Sequence, residues 1–127
     1  MTFAFWCVAL AAFLPLAWVG AAKFGGTDYD NSKPRIFLQN LDGWPQRANW
    51  AQANSYEAFP PFASAVIIAS LAGANQSIID TLAGVFITAR VLHGIFYILD
   101  KPTLRSLVWT TGFFAMIAIF LSTGWSS

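Results

Sequence analysis

The hydrophobic and polar positions of the chain are grouped in long blocks rather than alternating residue by residue. Four blocks are apolar enough and about 20 residues long, which is the length of a helix that crosses a bilayer. They run from Thr2 to about Ala22, from about Ala48 to Ala72, from Asp80 to Leu99 and from Ser106 to Gly124. The pattern predicts an all-α membrane protein, a four-transmembrane-helix bundle that forms a single domain over residues 1–127.

Composition agrees with a membrane protein and narrows its partners. The chain is 57% hydrophobic and 10% charged, whereas a soluble domain carries about 25% charged residues. The net charge of +1 and the absence of a basic run exclude a nucleic-acid-binding surface. The first block could be a cleaved signal peptide, but no basic residue precedes it, so we expect it to remain as a membrane helix.

The basic residues predict how the chain is oriented in the membrane. Six of the seven lie in the first and third connections between the blocks, and the second connection and the termini have none. The six are Lys23, Lys33, Arg35, Arg47, Lys101 and Arg105. Because basic residues favour the cytoplasmic side, we expect a multi-pass protein of the inner, cytoplasmic membrane with both termini outside.

The connections predict where the helices start and which of them are neighbours. The second and third connections are short, so helices two, three and four are expected to be antiparallel neighbours. Ser77 followed by Asp80 resembles an N-cap with an acid in the first turn, which predicts the start of the third helix. The first connection is longer and could lie along the membrane surface, with Trp44 as an interfacial anchor.

Polar side chains follow one face of each of two neighbouring predicted helices. Residues spaced i, i+3 and i+7 fall within about 60° of one another on a helix. The stripes are Arg47, Asn54, Glu57 and Pro61 on the second helix and Arg90, His93 and Tyr97 on the third. Pro60 and Pro61 remove helical hydrogen bonds and would open space beside the stripe. The two stripes are expected to face each other near the cytoplasmic end.

Arg90 needs a partner, because a charge near the middle of a membrane helix costs about 2.5–3.5 kcal/mol. Glu57 is the natural candidate for an ion pair, and polar stripes can simply hold helices together. The set of polar residues nevertheless exceeds what one ion pair requires, which favours a binding site for a polar ligand.

One His and one Cys cannot build a zinc site without several carboxylates, so we expect no metal. No protein nucleophile with a base is evident either, so a substrate must bring its own nucleophile.

The segments "RANWAQANSYEAFPPF", "ARVLHGIFY" and "PTLRS" together resemble the MAPEG family, the membrane-associated proteins of eicosanoid and glutathione metabolism. The resemblance implies a homotrimer that binds glutathione, as co-substrate, between neighbouring subunits near the cytoplasmic face. It also implies a membrane glutathione transferase or glutathione-dependent peroxidase that acts on lipophilic electrophiles, with a role in detoxification.

The resemblance also assigns individual residues. By position in the motifs, Arg105 matches the arginine that holds the glutathione thiolate. The cofactor-binding positions of the family match Arg47, Asn54, Glu57, Arg90, His93, Tyr97 and Ser106. Two positions depart from the family, because Trp50 replaces an arginine that binds a glutathione carboxylate and Gln46 replaces a glutamate. Lys23 could supply the missing positive charge.

Two other functions stay open at this point. A family member that has lost activity would serve a structural or interaction role, and Trp50 is the best argument for it. A small proton-coupled exporter would use Glu57 and His93 as a proton relay. Thiol conjugation without any proton gradient separates the enzyme from both.

Overall fold

The computed structural model describes residues 1–125, which form five helices and no strand. Four helices are long and one is a single short turn of helix in the first connection. They are α1 (Phe3–Gly25), α2 (Pro34–Gln39), α3 (Gly43–Leu71), α4 (Gln76–Ile98) and α5 (Pro102–Trp125). The four long helices follow the four apolar blocks, and each starts or ends a few residues outside the predicted limits.

Three of the four long helices are long and apolar enough to cross a membrane. These are Phe3–Gly25, Gln76–Ile98 and Pro102–Gly124. The second apolar block was expected to be a further span, but α3 does not reach the same hydropathy although it has 29 residues. The reason lies in its first half, where amide, hydroxyl and carboxylate side chains precede the apolar run at its C-terminal end. The polar half of α3 is the part that builds the candidate site.

The helices pack so that α1 and α4 run in one direction and α3 and α5 in the other. At one end, Asp80 Oδ1 accepts a hydrogen bond from the Ala4 N–H at 2.9 Å, which joins the start of α4 to the start of α1. At the other end, the indole of Trp44 at the start of α3 lies against Gly25 at the end of α1. Helices α3 and α4 each pack against the three other long helices, so together they form the centre of the packing.

The start of α4 differs from the prediction. Asn75, not Ser77, is the N-cap, and its side chain accepts a hydrogen bond from the Ile78 N–H. Ser77 lies inside the first turn, where its carbonyl accepts from the Thr81 hydroxyl at 2.8 Å. Asp80 accepts from the Gln76 amide at 2.7 Å and also reaches the first turn of α1, where a negative charge stabilises the unpaired N–H groups of a helix N-terminus.

The core between the helices is built largely from small residues, which lets the backbones approach closely. At Gly94 of α4, for example, a Cβ would overlap the ring of the buried Trp18 of α1. Small residues at such crossings are typical of packed membrane helices. The rings of Phe62 and Phe86 stack at a centroid distance of 3.9 Å and fill the space between α3 and α4.

We predict that Gly94→Ala destabilises the protein, because the added methyl group cannot be placed without moving Trp18 or separating α1 from α4. Overpacking of this kind costs about 1–3 kcal/mol. The matched control is Gly20→Ala, since a Cβ at Gly20 of α1 meets no atom within 4 Å. Thermal unfolding in detergent should show a lower Tm for Gly94→Ala alone, and equal Tm values for both variants would contradict this packing.

Candidate functional site

The polar side chains of α3, α4 and α5 come together at the end of the bundle where α1 and α4 end and α3 and α5 begin. Six of the seven basic residues lie at this end, as their grouping in the sequence predicts. The seventh, Arg90, lies two turns further into the bundle. The same end also carries Asp28, Asp30, Asp42 and Asp100, so the positive charge available to a ligand is local and comes from Arg105, the basic residue that lines the polar cavity described below.

Arg90 is the buried charge of the site, with 4% of its side chain exposed. Its Nη2 donates a hydrogen bond of 2.6 Å to Asn54 Oδ1, and this bond connects α4 to α3. The prediction of a direct ion pair between Arg90 and Glu57 is wrong. Glu57 lies one turn further along α3 with its side chain exposed, and it acts on Arg90 through its charge at longer range.

Gly112 allows α5 to close over Arg90. A Cβ at this position would lie 3.3 Å from Ala89 Cβ and 3.9 Å from Arg90 Cδ. With only a hydrogen there, the backbone of α5 packs directly on α4 beside the arginine. Arg90 is thus enclosed by three helices, which leaves its Nε buried with no hydrogen-bond partner.

Arg105 is held above the ring of Tyr97. Its Cζ lies 4.5 Å from the ring centroid, a cation–π contact between the first turn of α5 and the last turn of α4. The ring of His93 meets the same tyrosine edge-on at 5.6 Å, and the ring of Trp50 of α3 approaches it at 6.3 Å. Tyr97 therefore lies at the centre of a cluster that joins α3, α4 and α5.

These residues border a polar cavity of about 260 Å³ between α3, α4 and α5. Five residues predicted from the sequence line it, together with two that were not predicted. The predicted ones are Asn54, His93, Tyr97, Arg105 and Ser106, and the others are Trp109 and Thr110. The pair that the sequence reasoning missed lies one turn after Arg105 and Ser106, so the i+4 periodicity of α5 could have found it.

Glu57 and Arg90 line a second, mostly apolar cavity of about 220 Å³, and Asn54 borders both cavities. A third, more open depression on the outer side of α3 is lined by Trp50, Ala53, Asn54, Glu57 and Tyr97. Asn54 is thus the residue at which all three spaces meet. The described part of the chain contains no group of three or more His, Cys, Asp or Glu residues that could hold a metal ion.

Two further predicted cations have partners of their own. Arg47 donates through Nε and Nη2 to the carbonyl of Ile98, at 3.1 and 3.0 Å. Arg47 therefore does not line the polar cavity. Its guanidinium instead covers an unpaired carbonyl in the last turn of α4, where a positive charge is favourable. Lys23, the possible substitute for the missing arginine, lies with its Nζ 4.9 Å from the ring centroid of Tyr29.

We predict that Asn54→Leu destabilises the protein more than Glu57→Leu does, because only the first leaves Arg90 buried without its direct acceptor. A hydrogen bond to a charged group is worth roughly 1.5–3 kcal/mol. Gln52→Leu is the control, since its amide bonds only Asn49 on the same helix, at 2.8 Å. Thermal unfolding in detergent gives the Tm of all three variants. A larger fall in Tm for Glu57→Leu than for Asn54→Leu would show that the carboxylate is the main partner of Arg90.

Comparison with known proteins places these features in a family. A family model described as the MAPEG family matches residues 3–125. No curated protein and no solved structure matches the chain. The family match covers nearly all of the chain, and the three apolar helices agree with its membrane character. The protein is therefore an integral membrane protein that belongs to the MAPEG family, which is associated with glutathione.

Proposed function

We propose that the protein is a membrane glutathione transferase or glutathione-dependent peroxidase that activates the glutathione thiol for attack on lipophilic electrophiles. The observation that carries the proposal is the polar cavity, in which the cationic Arg105 lies beside the polar side chains of Asn54, His93, Tyr97 and Ser106. Glutathione is a polar anion, and this cavity offers it positive charge together with donors and acceptors of hydrogen bonds.

The chemistry that the site must supply is formation of the thiolate. A free thiol has a pKa near 8.5, and only the thiolate is the nucleophile. Each pKa unit corresponds to about 1.4 kcal/mol, so roughly 2–3 kcal/mol of preferential interaction makes the thiolate dominant at neutral pH. One arginine beside the sulfur in a partly dry cavity can supply this free energy. We assign that role to Arg105.

The neighbours of Arg105 support this assignment. The contact with the Tyr97 ring restricts the guanidinium, and the adjacent Ser106 places a hydroxyl on the same cavity. Asn54 and His93 would then bind the peptide part of glutathione. Arg90, which lies behind Asn54, would fix the orientation of its amide through their hydrogen bond. We keep Glu57 and Arg47 as glutathione contacts by resemblance to the family, and the contact of Arg47 with Ile98 makes its role the more indirect of the two.

We further propose that the cavity is completed by a second copy of the chain in a homotrimer of four-helix bundles. The side chains of Trp50, Glu57 and Ser106 are exposed at the edge of the site although they belong to helices in a membrane. Polar groups in a membrane are rarely left facing lipid, so a neighbouring subunit is expected to cover them. In this arrangement glutathione binds between subunits at the basic, cytoplasmic end, and both termini lie on the other side of the membrane.

The position of Trp50 modifies how glutathione would bind. In the family this position supplies an arginine for a glutathione carboxylate, whereas here the indole packs towards Tyr97 at 6.3 Å. A charge-assisted contact is therefore replaced by an aromatic one, which predicts weaker binding of the tripeptide. The aromatic contact instead supports the tyrosine beneath Arg105, so activation of the thiol does not depend on the missing arginine.

The proposal is tested on Arg105 with purified protein and glutathione. Bound thiolate absorbs ultraviolet light at a wavelength where the thiol does not, so the absorbance measures activation separately from binding. Arg105→Leu should abolish the thiolate signal and conjugation while glutathione still binds. Arg105→Lys should retain part of the signal, because the charge survives but the planar guanidinium is lost. A wild-type protein that binds no glutathione would favour a structural or interaction role instead.

We also predict that Tyr97 acts through its ring and positions Arg105. Tyr97→Phe keeps the aromatic face under the guanidinium and should retain most of the thiolate absorbance, whereas Tyr97→Leu removes the face and should lower it. A cation–π contact at a partly exposed site is worth about 0.5–1 kcal/mol, so the apparent pKa of the bound thiol should rise by roughly half a unit. The pH dependence of the absorbance measures this shift. Equal profiles for Phe and Leu would contradict a positioning role.

A further inference from the structure

We propose that the apolar cavity between α3, α4 and α5 binds the second substrate, and that it selects an electrophile built on a single ring. This inference rests on the proposed function, because it names the partner of the thiolate. The cavity measures about 220 Å³, is formed by residues of a single chain and is partly open to the outside of the bundle. Its lining consists of Asn54, Glu57, Ala58, Pro61, Phe86, Arg90, Trp109, Phe113 and Met116.

The inner wall of the cavity is rigid and aromatic. Phe86 is 3% exposed and lies face to face with the fully buried Phe62 at 3.9 Å. On α3, Pro61 lines the space, and a proline has no N–H to bond the carbonyl one turn earlier and no long side chain to fill the gap. A planar ring entering the cavity would therefore pack on Phe86 without having to displace it.

The outer wall is aromatic as well but less buried. Trp109 and Phe113 of α5 stack in parallel at a centroid distance of 5.2 Å, and their side chains are 43% and 39% exposed. These two rings lie between the cavity and the surroundings of the bundle. An apolar molecule dissolved in the membrane could reach the cavity past them, while the polar cavity stays open towards the basic end.

The two cavities share a wall, and this places the second substrate next to the proposed thiolate site. Asn54 and Trp109 line both the polar and the apolar cavity. A thiolate held by Arg105 in the polar cavity and a ring held against Phe86 would therefore adjoin where Asn54 and Trp109 line both spaces. Holding two reactants in adjacent sites is a large part of what an enzyme contributes to a reaction between them.

The volume limits the size of the ligand. A dry cavity of about 150 Å³ is sufficient to hold benzene, and drug-sized ligands occupy about 300–1,000 Å³. The 220 Å³ found here lies between these values. The space fits one aromatic ring that carries a leaving group, such as a benzylic halide, and a fused-ring electrophile would have to extend beyond it.

The reaction expected of such a pair is nucleophilic substitution. The thiol proton passes to solvent when the thiolate forms. The thiolate sulfur then forms a bond to the benzylic carbon, and the carbon–chlorine bond breaks with its electron pair leaving on chloride. The products are the thioether and a chloride ion, and no oxidant or reductant is required.

We test the cavity with benzyl chloride as the single-ring substrate and Ala58→Leu as the variant that fills it. The larger side chain should lower kcat/KM for benzyl chloride by about tenfold or more, as expected when a pocket loses the volume of several methylene groups. The thiolate absorbance of bound glutathione should not change, because Ala58 does not line the polar cavity. Ala17→Leu on the exposed side of α1 is the matched control and should behave as wild type.

A second variant enlarges the cavity and keeps the test decisive if Ala58→Leu does not fold. Met116 is 7% exposed and lines the cavity from α5, so Met116→Ala should add room for a second ring. It should raise kcat/KM for 1-(chloromethyl)naphthalene relative to benzyl chloride by about tenfold. If wild-type protein forms thiolate and conjugates both halides, but neither variant changes their ratio, the cavity is not the substrate site. Absence of glutathione thiolate in the wild type overturns the proposed function itself, and the assignment of this cavity with it.

Discussion

The hydrogen bond between Arg90 and Asn54 is the constraint around which the site is arranged. A guanidinium inside a membrane helix requires an acceptor, and Asn54 supplies it across the gap between α4 and α3 at 2.6 Å. Because that amide is thereby oriented, Asn54 can border three spaces at once. Gly112 lets α5 pack closely on α4 beside the arginine, because a Cβ there would lie 3.3 Å from Ala89 Cβ. The charge, its acceptor and the glycine act as one structural unit.

Two cavities of different chemical character, one polar and one mostly apolar, adjoin this unit. Towards the helix ends lie Arg105, His93 and Ser106, which suit an anion with many hydrogen-bonding groups. Towards the centre of the bundle lie the stacked rings of Phe62 and Phe86 and the side chain of Met116, which suit an apolar body. An enzyme that joins a water-soluble thiol to a membrane-soluble electrophile needs both environments side by side. The fact that the two cavities adjoin each other is the strongest structural support for the proposed reaction.

Aromatic side chains support the cation of the polar cavity. Trp50 packs towards Tyr97 at a centroid distance of 6.3 Å, and the Tyr97 ring in turn lies under Arg105. Aromatic side chains have few rotatable bonds, so holding them in place costs little conformational entropy. The site is thus built more by packing than by charge at this position.

The sequence by itself determined the number of the long helices, their limits to within a few residues, the concentration of basic residues at one end and most members of the polar site. These features depend on hydropathy and on helical periodicity, which are properties of neighbouring residues. Position in the family motif likewise led to Arg105, Asn54, His93, Tyr97 and Ser106. Only the tertiary structure decided which partner each residue has. Asn54 rather than Glu57 bonds Arg90, Arg47 turns to Ile98, Asn75 rather than Ser77 caps α4, and Trp109 lines both cavities. These outcomes depend on how closely helices that are far apart in the chain approach one another, to within a few tenths of an ångström. The spacing of residues within one helix carries no information about that approach.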